Sequence, residues 1–175
     1  MTEFQLDYLN KHLPYRLNSL LAPDLITHRR GTNISGELKE KCYKDSLVLE
    51  PAFEISIIFG RSILHFLGIT FDQKTNSLKT VAKYHDDDVS ICTLFPDKSL
   101  CPLDDAIVTQ NKEALCLIIK IANKSVAHLT TDVSNEEEHK LLENARKAIY
   151  QLVLKYIPEI NTKAIWWYNQ GCKEV

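Results

Sequence analysis

Glycine and proline are scarce in this chain, five and six among 175 residues. Sheet sandwiches and barrels need such residues at turn after turn, so the shortage argues against a turn-rich β architecture. Long apolar runs are missing as well: none approaches the roughly 18 residues of a membrane-spanning helix. Charge of one sign is also lacking. Twenty-one basic against 23 acidic residues leave a formal charge of −2, which argues against a protein that coats nucleic acid electrostatically. Basic residues cluster only locally, at His28-Arg29-Arg30 and Lys39-Glu40-Lys41, and such clusters read as solvated surface or as a small patch for RNA. No phosphate-binding glycine loop, dinucleotide fingerprint or serine nucleophile elbow occurs.

What is present is ordinary globular composition, 45% apolar and 25% charged, enough for a single domain over residues 1–175. The cysteines (Cys42, Cys92, Cys101, Cys116 and Cys172) are odd in number, and Cys116 lies in an apolar helical stretch. Residues 1–7 show neither a basic segment nor an apolar core of a signal peptide. Reduced thiols in a cytoplasmic protein are the expectation.

The periodicity predicts an all-α bundle of four to five main helices, with its core at about 50–157 and an irregular or small β-hairpin insertion near 70–100. Phe4, Leu6, Leu9, Leu13, Leu17, Leu20 and Leu21 mark a first helix, in which Pro14 either makes a kink or starts a second helix. Ala22-Pro23 is expected to end it, followed by a loop from about 24 to 36 and a short polar helix near 37–45. Pro51 opens a helix to about Gly68, apolar nearly all round and so expected at the centre. In the insertion, 78–84 and 89–95 read as short strands or irregular cover. Asp104 or Asp105 can cap a helix that runs, with a possible break, to His128. Ser134-Asn-Glu-Glu137 has the form of a capping box before a helix to about 157, expected to pack antiparallel on the helix from Asn111. A last short helix carries Trp166-Trp167-Tyr168, to close the core or meet a second copy.

Two polar sets interrupt this apolar pattern. Glu54, Arg61 and His65 fall within about 40° of one another at roughly 100° per residue, one stripe on the helix from Pro51. Either Glu54 and Arg61 pair inside, or the stripe lines an opening as a binding surface. Asn123, Lys124 and His128 end the helix from Asn111, where the helix dipole alone favours a cation. His85-Asp-Asp-Asp88 reads as solvated loop rather than a cation site, and the cysteine spacing does not suit zinc, so neither metal nor cofactor is expected.

Asn123-Lys-Ser-Val-Ala-His128-Leu129, followed by a short loop and a long amphipathic helix, resembles the signature of the HEPN superfamily (higher eukaryotes and prokaryotes nucleotide-binding domains). The preceding helix with Phe59-Gly-Arg-Ser-Ile-Leu-His-Phe-Leu-Gly68 extends the resemblance over roughly 50–157. It implies an all-α RNA-acting protein, in a toxin–antitoxin or phage-defence setting, whose ribonuclease members need no metal. In that mechanism a histidine, here His128, handles the proton of an RNA 2′-hydroxyl while an arginine steadies phosphate charge. The arginine expected four to six intervening residues before His128 is missing: those positions hold Asn123, Ala122 and Ile121. Lys124, one position off, or Arg61 from the neighbouring helix would have to supply the charge, so the candidate endoribonuclease set is His128, Asn123, Lys124 and Arg61, with Glu54 and His65 as binding residues. The resemblance also implies a homodimer with a composite cleft. Apolar residues around most of the helix from Asn111 (Leu115, Leu117, Ile118, Ile119 and Ile121) fit either a dimer contact or cover by residues 69–104. The alternative function is a non-catalytic helical module that binds a protein partner.

Overall fold

The computed structural model describes residues 1–32, 49–124 and 136–169. The fold is mostly α, with one two-stranded antiparallel hairpin. The N-terminal run begins with α1 (Glu3–Asp7), whose capping box joins the Thr2 and Gln5 side chains to each other's backbone amides. A π-helical segment, Tyr8–His12, leads without interruption into α2 (Leu13–Leu20). Pro14 sits in the first turn of α2, where its missing amide costs no helical hydrogen bond.

The loop expected from about 24 to 36 is instead helical for its first part, α3 (Ala22–Thr32). Pro23, expected to end a helix, instead lies in the first turn of α3. Leu25 packs under it, and Asp24 is anchored by Arg146 from far along the chain. Local sequence carried no sign of that anchor. The polar helix expected near 37–45 lies outside the described residues.

The helix opened by Pro51 is α4 (Leu49–Phe66). It packs against α2, α3 and the later helices, with Ile63, Leu64 and Leu67 buried. One side of it nevertheless stays open: Ile55 and Ile58 are 43% and 42% exposed. At Gly68 the backbone turns to φ 94°, the left-handed region that glycine enters freely, and the chain reverses into the hairpin. Strand β1 (Ile69–Asp72) pairs with β2 (Ser77–Thr80) in the register Ile69 to Thr80. Of the two stretches read as strand or irregular cover, 78–84 is strand only to Thr80. The other, 89–95, forms a short helix, α5 (Ile91–Leu94), capped by the Ser90 hydroxyl and buried through Ile91 and Leu94.

Asp105 caps α6 (Ala106–Gln110), and a break at Asn111 separates it from α7 (Lys112–Lys124). Leu115, Ile118 and Ile119 of α7 are buried, and both hairpin strands pack on the same helix. Part of the apolar surface that fits either a dimer contact or cover by residues 69–104 is thus covered by that segment. Helix α8 (Glu136–Tyr156) makes its most extensive contact with α7. Ser134, and with it the expected capping box, lies outside the described residues. A 3₁₀ turn, Thr162–Ala164, and α9 (Trp166–Asn169) finish the described chain; Trp167 packs on the core while Trp166 is 57% exposed. Among the described residues no helix is long and apolar enough to cross a membrane.

Candidate functional site

The polar stripe on α4 does not close on itself. Seven residues separate Glu54 from Arg61, a rise of roughly 10 Å that both side chains would have to extend along the helix to bridge. Both side chains are exposed, and among the described residues neither forms a salt bridge. The internal pair considered from the sequence is therefore absent. The stripe instead feeds two separate clefts.

Arg61 and His65 line a cleft of about 550 Å³ together with Tyr8, Arg16, His85, Asp87 and Asp88. Arg16 comes from α2, one turn beyond the π-helical segment, and its Nη1 donates to the His12 carbonyl at 3.2 Å. His65 is half-buried at the end of α4 and meets the Tyr84 ring edge-on at 5.0 Å. The Tyr84 hydroxyl donates to the His65 carbonyl at 2.9 Å. Burial, followed by the nearby charges of Cys92 and Asp88, pushes the Tyr84 phenol up to about 12, so it remains a donor at neutral pH. That bond ties the segment after β2 to α4 and brings His85 to the cleft. The turn at His85 is closed by its own amide donating to Asp88 Oδ2 at 2.9 Å.

The second cleft, about 1900 Å³, runs between α3, α4, α7 and α8 and is lined by Phe53, Glu54, Lys124, His139, Arg146 and Lys147 among others. Some of its charges are engaged with each other, Arg146 with Asp24 and Lys147 and Lys140 with Glu143, while Glu50, Glu54, Lys120 and Lys124 also border it. The Arg146 guanidinium also lies 5.5 Å from the Phe53 ring centre, and Phe53 stacks at a tilt on His139.

The candidate residues read from the sequence are thus divided. Arg61 and His65 share the smaller cleft; Glu54 and Lys124 border the larger one. Asn123 is half-exposed at the end of α7, and Ala122, just before it, reaches the smaller cleft. His128 lies outside the described residues. Tyr8 and Arg16, on one helical run, and His85, from the segment after β2, are not singled out by the sequence, because nothing local relates that run to His85 or to α4. In the sequence His85 is marked only as part of the acidic run His85–Asp88.

Among the described residues no group of three or more His, Cys, Asp or Glu side chains is placed to hold a metal ion. Cys92, Cys101 and Cys116 are free thiols, and burial raises the thiols of Cys101, to about 11, and Cys116. No protein-family model, curated protein or solved structure matches the chain.

Proposed function

We propose that this protein is an HEPN-like RNA-binding domain whose smaller cleft engages the phosphate backbone. The observation that carries the reading is Arg61. It is exposed rather than paired with Glu54, and it shares an open cleft with Arg16, His65 and His85. Two guanidinium groups in one cleft suit phosphate, to which arginine can offer two parallel donors. Two acids, Asp87 and Asp88, line the same cleft; the His85 amide partly occupies Asp88, and Asp87 opposes an anion against the two arginines. Cleavage depends on His128, the residue that the resemblance casts as proton handler; binding depends on Arg61 and Arg16. The reading includes a homodimer and a cytosolic setting, which free thiols suit.

The test is incubation of the purified chain with a mixed RNA pool in EDTA, read by gel shift and by RNA length. A retarded band that weakens in Arg61→Ala supports the reading. Shortened RNA that returns to full length with His128→Ala adds a metal-independent nuclease. No binding at low salt overturns it, and light scattering at about 20 kDa removes the dimer.

One observation favours a second reading. Ile55 and Ile58 stand exposed on α4 beside Arg61, which suits a helical module that docks a protein partner. No RNA binding by the wild-type chain at low salt, together with a protein partner whose binding is lost in Ile58→Glu, would move the function there.

A further inference from the structure

Phe4, Tyr8, His12 and Arg16 follow one another at steps of four residues along the N-terminal helical run. The ring centres of Phe4 and Tyr8 are 5.0 Å apart, and those of Tyr8 and His12 are 4.9 Å apart. In a regular α-helix each step of four overshoots a full turn by roughly 40°, so three steps would carry the row about a third of the way round the cylinder. The π-helical segment Tyr8–His12 interrupts that drift. A π turn holds more residues than an α turn, so there a step of four falls short of a full turn, and the two errors oppose each other. The rings stay neighbours although tilted by 52° and 40° against each other, and the row runs into the cleft, which Tyr8 and Arg16 both border. Such π turns occur frequently at functional sites.

Packing does not explain the row. Tyr8 rests partly on the core, but Phe4 is 51% exposed and the His12 side chain 48%. The neighbouring acid, Asp7, is held by Lys11 at 2.6 Å and by His12 Nε2 at 2.9 Å, so its charge is compensated beside the rings.

We infer that Phe4, Tyr8 and His12 form a nucleobase-stacking platform, which together with Arg16 and Arg61 takes an unpaired RNA strand, bases over the rings and phosphates toward the arginines. The inference rests on the RNA reading above. Stacked bases are about 3.4 Å apart, so a base inserted between two rings would need them at roughly 7 Å; at about 5 Å the rings admit none, and bases lie over the outer face of the row. Only an unpaired strand offers free base faces to such a surface, and every base has one, so little sequence preference is expected.

The test is fluorescence anisotropy of the full-length chain with a labelled single-stranded 12-mer RNA and with a duplex of equal length, over a range of salt. The expected result is that Phe4→Leu, which keeps an apolar side chain but removes the ring, weakens single-strand binding by about five- to a hundred-fold. It leaves duplex binding and the salt slope unchanged. Arg16→Ala weakens binding to both and reduces the slope by about one. Circular dichroism melts confirm that Phe4→Leu folds. If wild type binds and Arg16→Ala behaves as stated but Phe4→Leu and His12→Ala bind as wild type, the platform is overturned and the RNA reading stands. If wild type binds neither RNA, both fall.

Discussion

Arg146 and Asp24, 122 residues apart in sequence, meet in a two-point ion pair: Arg146 Nε donates to Asp24 Oδ2 and Nη2 to Oδ1, each at 2.7 Å. Their side chains are 5% and 10% exposed, and the third guanidinium nitrogen, Nη1, is buried without a hydrogen-bond partner among the described residues. The pair fastens α3 to α8. Removing one partner leaves the other charge buried, and such losses are typically about 3–5 kcal/mol. Arg146→Met is therefore expected to destabilise by about that much in urea unfolding, and Asp24→Asn by less, because an amide keeps one acceptor. The double variant Asp24→Leu with Arg146→Met should recover most of the loss. A double variant no better than Arg146→Met would show that packing, not charge, is what Arg146 supplies.

A second buried acid predicts a pH dependence. Asp105 Oδ2 accepts from Lys155 and from the Tyr156 hydroxyl, each at 2.6 Å, while Oδ1 accepts from the Ile107 amide. Burial pushes its carboxyl up, but those hydrogen bonds outweigh it and hold it below its ordinary 3.8. A carboxyl depressed in the fold contributes stability that is full above 3.8 and is lost as pH falls through its lower native value. Asp105→Asn should cost about 1–3 kcal/mol at neutral pH. The gap between the two melting temperatures should shrink on acidification below pH about 4; a constant gap would refute the assignment.

Two glycines, Gly60 inside α4 and Gly68 just beyond its C-terminal end, should respond differently to alanine. A methyl at Gly60 would collide with Ile118 Cδ1, the tip of a fully buried side chain, and lie 3.3 Å from Leu20 Cδ1. Overpacking of about 1–3 kcal/mol then exceeds the gain of about 1 kcal/mol from better helix propensity. Adding Ile118→Val removes the colliding atom, so the double variant should be more stable than the sum of the two single losses. At Gly68 the strain lies in the backbone, at φ 94°, and the methyl would meet Leu100 Cβ at 2.8 Å. Gly68→Ala is expected to lose more than Gly60→Ala, and trimming Leu100 to alanine should not restore it, since that Cβ remains.

The division of the α4 stripe between two clefts predicts a division of effects. Arg61→Ala is expected to weaken RNA binding several-fold and lower the dependence on salt. Glu54→Gln, on the rim of the other cleft, should change neither. Equal effects at both positions in filter binding would return the stripe to a single site.

The helices were legible because each needs only its own residues. Pro51, the apolar spacing after it and Gly68 mark α4 at both ends, and Asp105 marks the start of α6 by the cap that only a short polar side chain makes. The hairpin near 70–100 was legible as an interruption, but α5 within it was not, since four residues are too few to show a period. Its burial comes from the neighbours that cover it.

Long-range partners explain the rest. Nothing near Pro23 announces Arg146, whose ion pair from α8 fastens the first turn of α3. In the same way Glu54, Arg61 and His65 share a stripe by helical arithmetic alone, which the sequence determines. Which of them face one opening depended on α2 bringing Arg16 and on Tyr84 fastening His85 beside α4. Periodicity is a property of one segment and can be read from it. A cleft is a relation among segments, and only tertiary packing, through contacts such as Arg146 with Asp24 and Tyr84 with His65, decides it.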